Sequence, residues 1–352
     1  MTHTGNHEIL RKLDGPVLIT GHTGFKGAWL TLLLESNGIE VAGYALHPDK
    51  DSLYTQLNRE GKIHERLGDI RDLLELQRFV KEVNPRYIVH LAAQPLVRRG
   101  YDEPLLTFET NAIGTANVLD VGKRAESVQA IAAITTDKVY RNDNSGQSFT
   151  ENSPLGGHDP YSASKVASEA AIMAWRSINF GSYVKPIYSL RAGNVIGGGD
   201  LNTDRLLADI IRSFQKNKTL LIRNPEATRP WQHVLDPLVG YLRALVISPS
   251  SLDFNFGPSE PSLSVKEVVK IAQSSGKFKF TFEIQQQPSE KKPEAQKLEL
   301  NPSAAGKELG WIENWSQEQS VNATIDWWES VLLKHASPLE ACKRDIATLL
   351  EQ

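Results

Sequence analysis

Cysteine occurs once in this chain, at Cys342, so no intrachain disulfide can form and a reducing compartment is expected. No apolar run reaches the roughly 18 residues that a membrane-spanning helix needs. The opening Met1-Thr2-His3-Thr4-Gly5 shows no basic-then-apolar leader, so a cytoplasmic location is expected. Neither sign of charge dominates. Lys and Arg total 39 against 42 Asp and Glu, a net of −3, which argues against nucleic acid or an anionic membrane as partner. Internal repeats and low-complexity blocks are missing, and no metal site is expected. What remains is a chain of ordinary apolar content whose 352 residues exceed one ordinary core and point to two domains.

Three motifs in a fixed order carry the information. The first is the turn Gly21-His22-Thr23-Gly24-Phe25-Lys26-Gly27. It follows the short apolar run 16–20, read as a buried strand, and precedes the apolar stretch 28–37, read as a helix closed by Gly38. Residues 40–44 read as the next strand, completing a strand–turn–helix–strand unit. Glycine in such a turn lets backbone approach a pyrophosphate, and the helix N-terminus offers free N–H groups. The acid that usually holds the ribose, about 20 residues past the glycines, is missing from the end of that second strand. No arginine for a 2′-phosphate replaces it. NAD is favoured over NADP, with the choice left open.

The second motif is Tyr161-Ser162-Ala163-Ser164-Lys165, on a helix expected over 161–175. Positions i and i+4 share a helix face, so the Lys165 ammonium is expected beside the Tyr161 phenol. There it would favour phenolate and tune an acid/base group toward neutral pH. The third motif is Thr135-Thr136-Asp137-Lys138, after the apolar run 129–134. In a doubly wound sheet ligands sit at the carboxyl ends of strands, which places this tetrapeptide at the crevice. Together the three motifs point to a dinucleotide enzyme that moves hydride and proton at one hydroxyl-bearing carbon.

On these residues, with Leu91-Ala92-Ala93-Gln94-Pro95-Leu96-Val97 and Arg229-Pro230-Trp231-Gln232-His233, the chain resembles the extended short-chain dehydrogenases/reductases of the nucleotide-sugar branch. More closely it is similar to the CDP-glucose 4,6-dehydratases, over about residues 10–335. The resemblance implies an α/β, Rossmann-type doubly wound parallel sheet with a smaller C-terminal α/β substrate domain. Residues 1–190 would form the NAD-binding domain, with 229–257 returning to it. Residues 191–335 would mainly hold the substrate, and 336–352 would be a tail helix. NAD is the implied cofactor, CDP-glucose the favoured substrate, and a homodimer or a further-assembled tetramer the implied state, built on the helices near 104–124 and 161–180.

The implied chemistry is oxidation at C4, loss of water across C5 and C6, and return of hydride to C6. Tyr161 and Lys165 would serve the C4 oxygen, with Thr136 bonding it. Asp137 would act as acid at C6. Other dehydratases of this branch carry Glu where this chain has Lys138, so either Lys138, with a depressed pKa, or Asp137 would remove the C5 proton. The implied cofactor contacts are Gly21, Thr23, Gly24, Phe25, Lys26, Gly27, Asp69, Ile70, Leu91, Ala92, Ala93, Thr135, Tyr161 and Lys165. The implied substrate contacts are Gln94, Asn194, Arg205 and Arg229, the last suited to a diphosphate by its planar fork. His90 and Asn111 read as packing residues, and Asp72 as a helix cap. An epimerase or reductase of the same fold, or a non-catalytic NAD-binding protein, are the alternatives. The first would lack the Asp137-Lys138 pair, and the second would be free to lose Tyr161 or Lys165.

Overall fold

Seven short strands, five of them mainly apolar, make one parallel sheet: β1 (Val17–Thr20), β2 (Val41–Ala45), β3 (His64–Leu67), β4 (Tyr87–His90), β5 (Ala130–Thr136), β6 (Ile187–Ala192) and β7 (Asp253–Phe256). Their order is β7-β6-β5-β4-β1-β2-β3. Strands β1, β2, β4, β5 and β6 are buried along their whole length, as a sheet covered on both faces requires. The order reverses between β1 and β4, and that switch point opens a crevice at the strands' carboxyl ends. The fold is the expected doubly wound α/β arrangement. The computed structural model describes residues 5–178, 180, 184–284 and 295–351. The surface loop expected at 285–297 lies, over 285–294, outside the described residues.

Register decides which residues reach the crevice. Thr20 pairs with His90, and His90 with Ala133. Strand β5 then runs on through Ile134, Thr135 and Thr136 beside β6. Thr136, Asp137 and Lys138 therefore overhang the neighbouring strand end.

Six helices matter for the site and its support: α1 (Phe25–Ser36), α2 (Leu73–Val83), α3 (Pro160–Ser177), α4 (Leu235–Ile247), α5 (Gln317–Leu332) and α6 (Pro338–Leu350). Helix α1 starts three residues before its expected beginning, because Gly24 is its N-cap. The helical stretch 104–124 is continuous but carries one π-turn, Glu109–Ile113, centred on Asn111. Asp72 caps α2 by accepting from the Glu75 amide, as expected. The helix Leu206–Lys216 follows Asp204, which takes a left-handed φ of 58°. Strand β6 begins at Ile187, just after Pro186. A short strand, Leu263–Ser264, leads into a helix from Val265 whose Ser264–Glu267 capping box makes the corner.

The C-terminal half packs back onto the sheet through aromatic residues. Helix α4 is buried from Leu235 to Leu245. Trp327 on α5 stacks edge-on against Trp328 and donates to the Cys342 sulfur of α6. The loop after the short strand Asn194–Ile196 is held between two tryptophans: Trp29 Nε1 donates to the Gly198 carbonyl at 3.1 Å, and a methyl group on Gly198 would collide with the Trp327 ring. Gly198→Ala is expected to overpack this contact and to cost about 1–3 kcal/mol of folding stability. Denaturant unfolding of the variant beside the parent chain measures it.

Candidate active site

The glycine turn is shaped by close approach. Gly21 has a φ of 78°, and a Cβ there would lie 2.7 Å from the Ala92 amide nitrogen at the end of β4. A Cβ on Gly27 would collide with the Gly21 carbonyl. No side chain caps α1, so its first-turn amides stay open toward the crevice. This is a cradle for an anion, and a dinucleotide pyrophosphate fits it. Around it, the Thr23 hydroxyl donates to the Leu46 carbonyl at 3.0 Å, and Phe25 lies against Gly197. His22 is buried behind the turn, its Nε2 2.7 Å from the Glu65 carboxylate, which also accepts from Tyr54.

Asp69 and Ile70 lie between β3 and α2. The Asp69 carboxylate is engaged by Arg71 at 2.7 Å, which holds it below its ordinary pKa. Ile70 is buried, and a Cβ on Gly114 would lie 2.5 Å from its Cδ1. Beyond β4, Leu91 donates its amide to the Thr20 carbonyl, and Ala92 and Ala93 continue the loop. The Gln94 side chain turns inward: its amide donates to Leu96 O and to the Thr107 hydroxyl, and its oxygen accepts from the Leu96 amide. Asn111, at the π-turn, accepts from the Gln94 amide at 2.8 Å and donates to the Ser164 hydroxyl of α3 at 2.8 Å. It thus ties the β4 loop to α3. His90 is the packed strand histidine expected, bridging Thr20 and Thr115.

The structure brings Thr136, Asp137, Tyr161 and Lys165 together, joined by Lys26 and Arg205. The Thr136 hydroxyl reaches Tyr161 and donates to Asp137 Oδ1 at 3.0 Å. Asp137 is buried, and its Oδ2 has no hydrogen-bond partner. Lys138 follows, half-buried, in a single 3-10 turn that Thr136 caps. Lys165 is buried, and its ammonium donates to the Ile134 carbonyl at 3.2 Å. Burial lowers its pKa to about 8 against the upward pull of Glu169.

Tyr161 departs from the sequence expectation in one respect. Burial pushes its phenol up to about 12, and the groups pulling it down most are Thr136 and then Arg205, while Asp137 and Asp159 push it further up. The chain's own groups leave this phenol above its ordinary value, and Lys165 is not among those that act on it most. Arg205, whose Nε is buried without a partner, is the cation that the phenol feels most. Lys26 donates to the Tyr241 hydroxyl at 3.3 Å, and burial, then Arg205 and Lys165, lower it to about 7, with Asp137 opposing.

A cleft opens beside this cluster, lined by Asn194, Asp204, Arg205, Arg223, Arg229 and Trp231. Asn194 lies on a short strand paired to Trp231. Arg229 is buried, and its fork is occupied by backbone: Nη1 donates to Thr228 O and Gln296 O, Nη2 to Ala295 O. Its reach toward a diphosphate is accordingly less than its residue type suggested. Thr135 is likewise turned to another task, its hydroxyl donating to Glu169 at 2.6 Å. The sequence reading passed over Glu169 and Arg223. Glu169 stands four residues beyond Lys165, so the helical spacing that paired Tyr161 with Lys165 held the signal. Arg223 had no such signal. It comes into view through its 2.9 Å contact with Asp204, which Arg98 also approaches. Among the described residues no group of acids, histidines and cysteines could hold a metal ion, and no helix is long and apolar enough to cross a membrane.

Comparison with known proteins follows the same lines. The profile of the GDP-mannose 4,6-dehydratase family matches residues 18–324. A CDP-glucose 4,6-dehydratase of Salmonella typhimurium is 36% identical over 345 residues, covering 94% of this chain and 95% of that one. A dTDP-glucose 4,6-dehydratase of Haemophilus influenzae is 24% identical, covering 89% and 97%. Among solved structures, the dTDP-glucose 4,6-dehydratase of Bacillus anthracis, in complex with NAD, superposes with a TM-score of 0.77 at 22% identity, covering 93% of this chain and 100% of that one. An epimerase from Methanothermobacter thermautotrophicus reaches 0.80 at 21% identity, covering 98% and 99%.

Proposed function

The chain belongs to the GDP-mannose 4,6-dehydratase family, and within it we propose that it acts as an NAD-dependent nucleotide-sugar 4,6-dehydratase, with CDP-glucose as substrate and a 4-keto-6-deoxy sugar nucleotide as product. One observation carries the reading: Asp137, with its unpartnered buried Oδ2, lies beside the Thr136–Tyr161 pair in one crevice. An oxidation alone needs the tyrosine; an elimination needs a further acid within reach. The substrate preference rests on the 36% identical Salmonella protein.

The chain's residues divide the work. The Gly21–Gly27 turn and the open amides of α1 would hold the NAD pyrophosphate, and NAD, when bound, supplies the acceptor and later the donor of hydride. Tyr161 takes the proton from the C4 hydroxyl, and Thr136 bonds that oxygen as it becomes a carbonyl. Thr136 and Arg205 already pull the phenol down from the value that burial sets, about 12, and the positive charge that NAD supplies when bound would lower it further toward working range. The new carbonyl acidifies C5. Lys138 or Asp137 removes the C5 proton, and Asp137 delivers one to the departing C6 hydroxyl. Arg205 and Arg223 offer positive charge to the diphosphate, with Arg229 bracing the wall behind them.

The direct test is incubation with each nucleotide-glucose and a search for a product lighter by one water. An oxidised sugar of unchanged carbon skeleton that keeps its water, released with stoichiometric reduced cofactor, would reject a dehydratase.

Two sets of variants separate the halves of the reaction. Tyr161→Phe is expected to slow C4 oxidation by about 10²–10⁴ while cofactor binding, followed by fluorescence titration, stays near that of the parent. Asp137→Asn and Lys138→Ala are expected to keep oxidation and to slow water loss by about 10²–10⁴. Reduced-nicotinamide absorbance would then build up on mixing with substrate, with little dehydrated product. If Lys138→Ala dehydrates normally, Asp137 is the C5 base.

A homodimer belongs to the same reading. Leu105, Ile113 and Met173 project into solvent at 80%, 58% and 56% exposure from two helices that pack on each other. Such apolar side chains on adjoining helices suit burial against a second copy. Light scattering at micromolar concentration is expected to give twice the chain mass, and Leu105→Glu with Ile113→Glu to give one chain mass.

A further inference from the structure

Behind the proton-handling site lies a closed chain of charges that the reaction as described does not use. Glu169 is 1% exposed and Arg191 3%. Glu169 Oε1 accepts from Thr135 at 2.6 Å, Ser189 at 2.7 Å and Arg191 Nε at 2.8 Å; Oε2 accepts from Arg191 Nη2 at 2.9 Å. Arg191 goes on to donate to the Tyr140 hydroxyl, which donates to Asn255. Every partner on this path is buried, so the carboxylate is desolvated and fully satisfied.

A buried ion pair is weak evidence for stability, because replacing it with well-packed apolar residues of similar size is often neutral or stabilising. Its location suggests what it is retained for. Lys165 and Glu169 stand one turn apart on α3 and grip consecutive residues of β5: Lys165 bonds the Ile134 carbonyl, Glu169 the Thr135 hydroxyl. The next residue is Thr136. Resting on the reading of Tyr161 and Lys165 as the pair that handles the C4 proton, we propose that Glu169 is a positioning residue: a buried counter-charge, braced by Arg191, that keeps Lys165 an ammonium and fixes the end of β5 against α3.

The electrostatics agree in sign. The charge that acts on Lys165 is Glu169 on its own helix, behind which stands Arg191 of β6; Lys165 in turn lowers Lys26 on α1 and His90 on β4, and Tyr161 and Asp137 complete the ionisable groups of the cluster. Burial lowers Lys165, and Glu169 opposes it. Burial would raise Glu169, but the Arg191 hydrogen bonds and charge, with Thr135 and Ser189, outweigh it and hold the carboxyl below its ordinary value. Glu169 is thus an anion throughout the working range. A lysine with a lowered pKa is charged below that value and loses its charge as pH rises through it. The Lys165 ammonium is therefore lost above about pH 8, and without Glu169 it would be lost at lower pH.

The test reads Lys165 directly in the cofactor-free protein, by NMR titration of ¹³C-labelled lysine side chains, with Lys165→Arg to assign the signal. Glu169→Gln keeps the shape and drops the charge, and is expected to lower the Lys165 midpoint by on the order of one pH unit, the effect of losing a neighbouring opposite charge. Glu169→Asp keeps the charge and is expected to restore most of the parent value. If Glu169→Gln does not fold, the double variant Glu169→Gln/Arg191→Met takes its place, and the midpoint must again fall, since the nearer charge dominates. Turnover should follow, with the alkaline limb of the kcat profile moving with the midpoint while KM holds. A Lys165 midpoint unmoved in these variants, or activity lost equally at every pH, would overturn the proposal. A midpoint that moves as stated in a chain that dehydrates no nucleotide sugar would leave this inference standing and reject the function.

Discussion

The site depends on a missing methyl group. Gly27 lies against the Gly21 carbonyl so closely that any side chain would collide with it, and Gly21 lies against the Ala92 amide in the same way. These two approaches seat the first turn of α1 directly over the ends of β1 and β4, at the point where the strand order reverses. Everything on the cofactor side follows from that seating: the open amides, the position of Lys26 in the first turn, and the reach of that lysine to Tyr241. A larger residue at either glycine would lift the helix, and the crevice would lose both its anion cradle and its lysine.

The second determinant is the balance of burial against charge. Tyr161, Lys165 and Lys26 are all shifted by desolvation toward their neutral forms, while Asp137 sits among them with one free oxygen. Lys26, Lys165 and Arg205 make the cluster electropositive. Such a site is suited to anionic groups. Burial sets the phenol high, and Thr136 and Arg205 are the groups that pull it back.

Much of this was legible from the chain because the informative residues are local. The strand–turn–helix unit, the Tyr161–Lys165 spacing and the Thr136-Asp137-Lys138 overhang each need only a period and a neighbouring apolar run. The π-turn at Asn111 was not legible, because it arises from tertiary demands: the Asn111 side chain has to meet Gln94 and Ser164 together. The occupation of Arg229 by three backbone carbonyls was hidden for the same reason, since those carbonyls come from the neighbouring Thr228 and from residues 295–296. Residue type told that an arginine fork was available; only the fold tells that it is already in use. Arg205 was recovered from the resemblance, but its pull on Tyr161 joins two elements far apart in sequence, which no local period encodes.

The two helical stretches that complete the site use opposite faces for different purposes. Inward, 104–124 presents Asn111 and Thr115, and α3 presents Tyr161, Ser164, Lys165, Ser168 and Glu169, a run at the spacings of one helix face. Ser168 donates to the Asn111 carbonyl at 2.7 Å, so the two inner faces are bonded to each other as well as to the sheet. Outward, the same helices carry Leu105, Ile113 and Met173. The π-turn inserts its extra residue between these faces. It re-aims Asn111 into the site, and it also sets where Ile113 emerges on the other side. Geometry at the proton-handling pair and geometry at the exposed apolar face are therefore fixed by one backbone feature, and a change at that turn cannot alter one without altering the other.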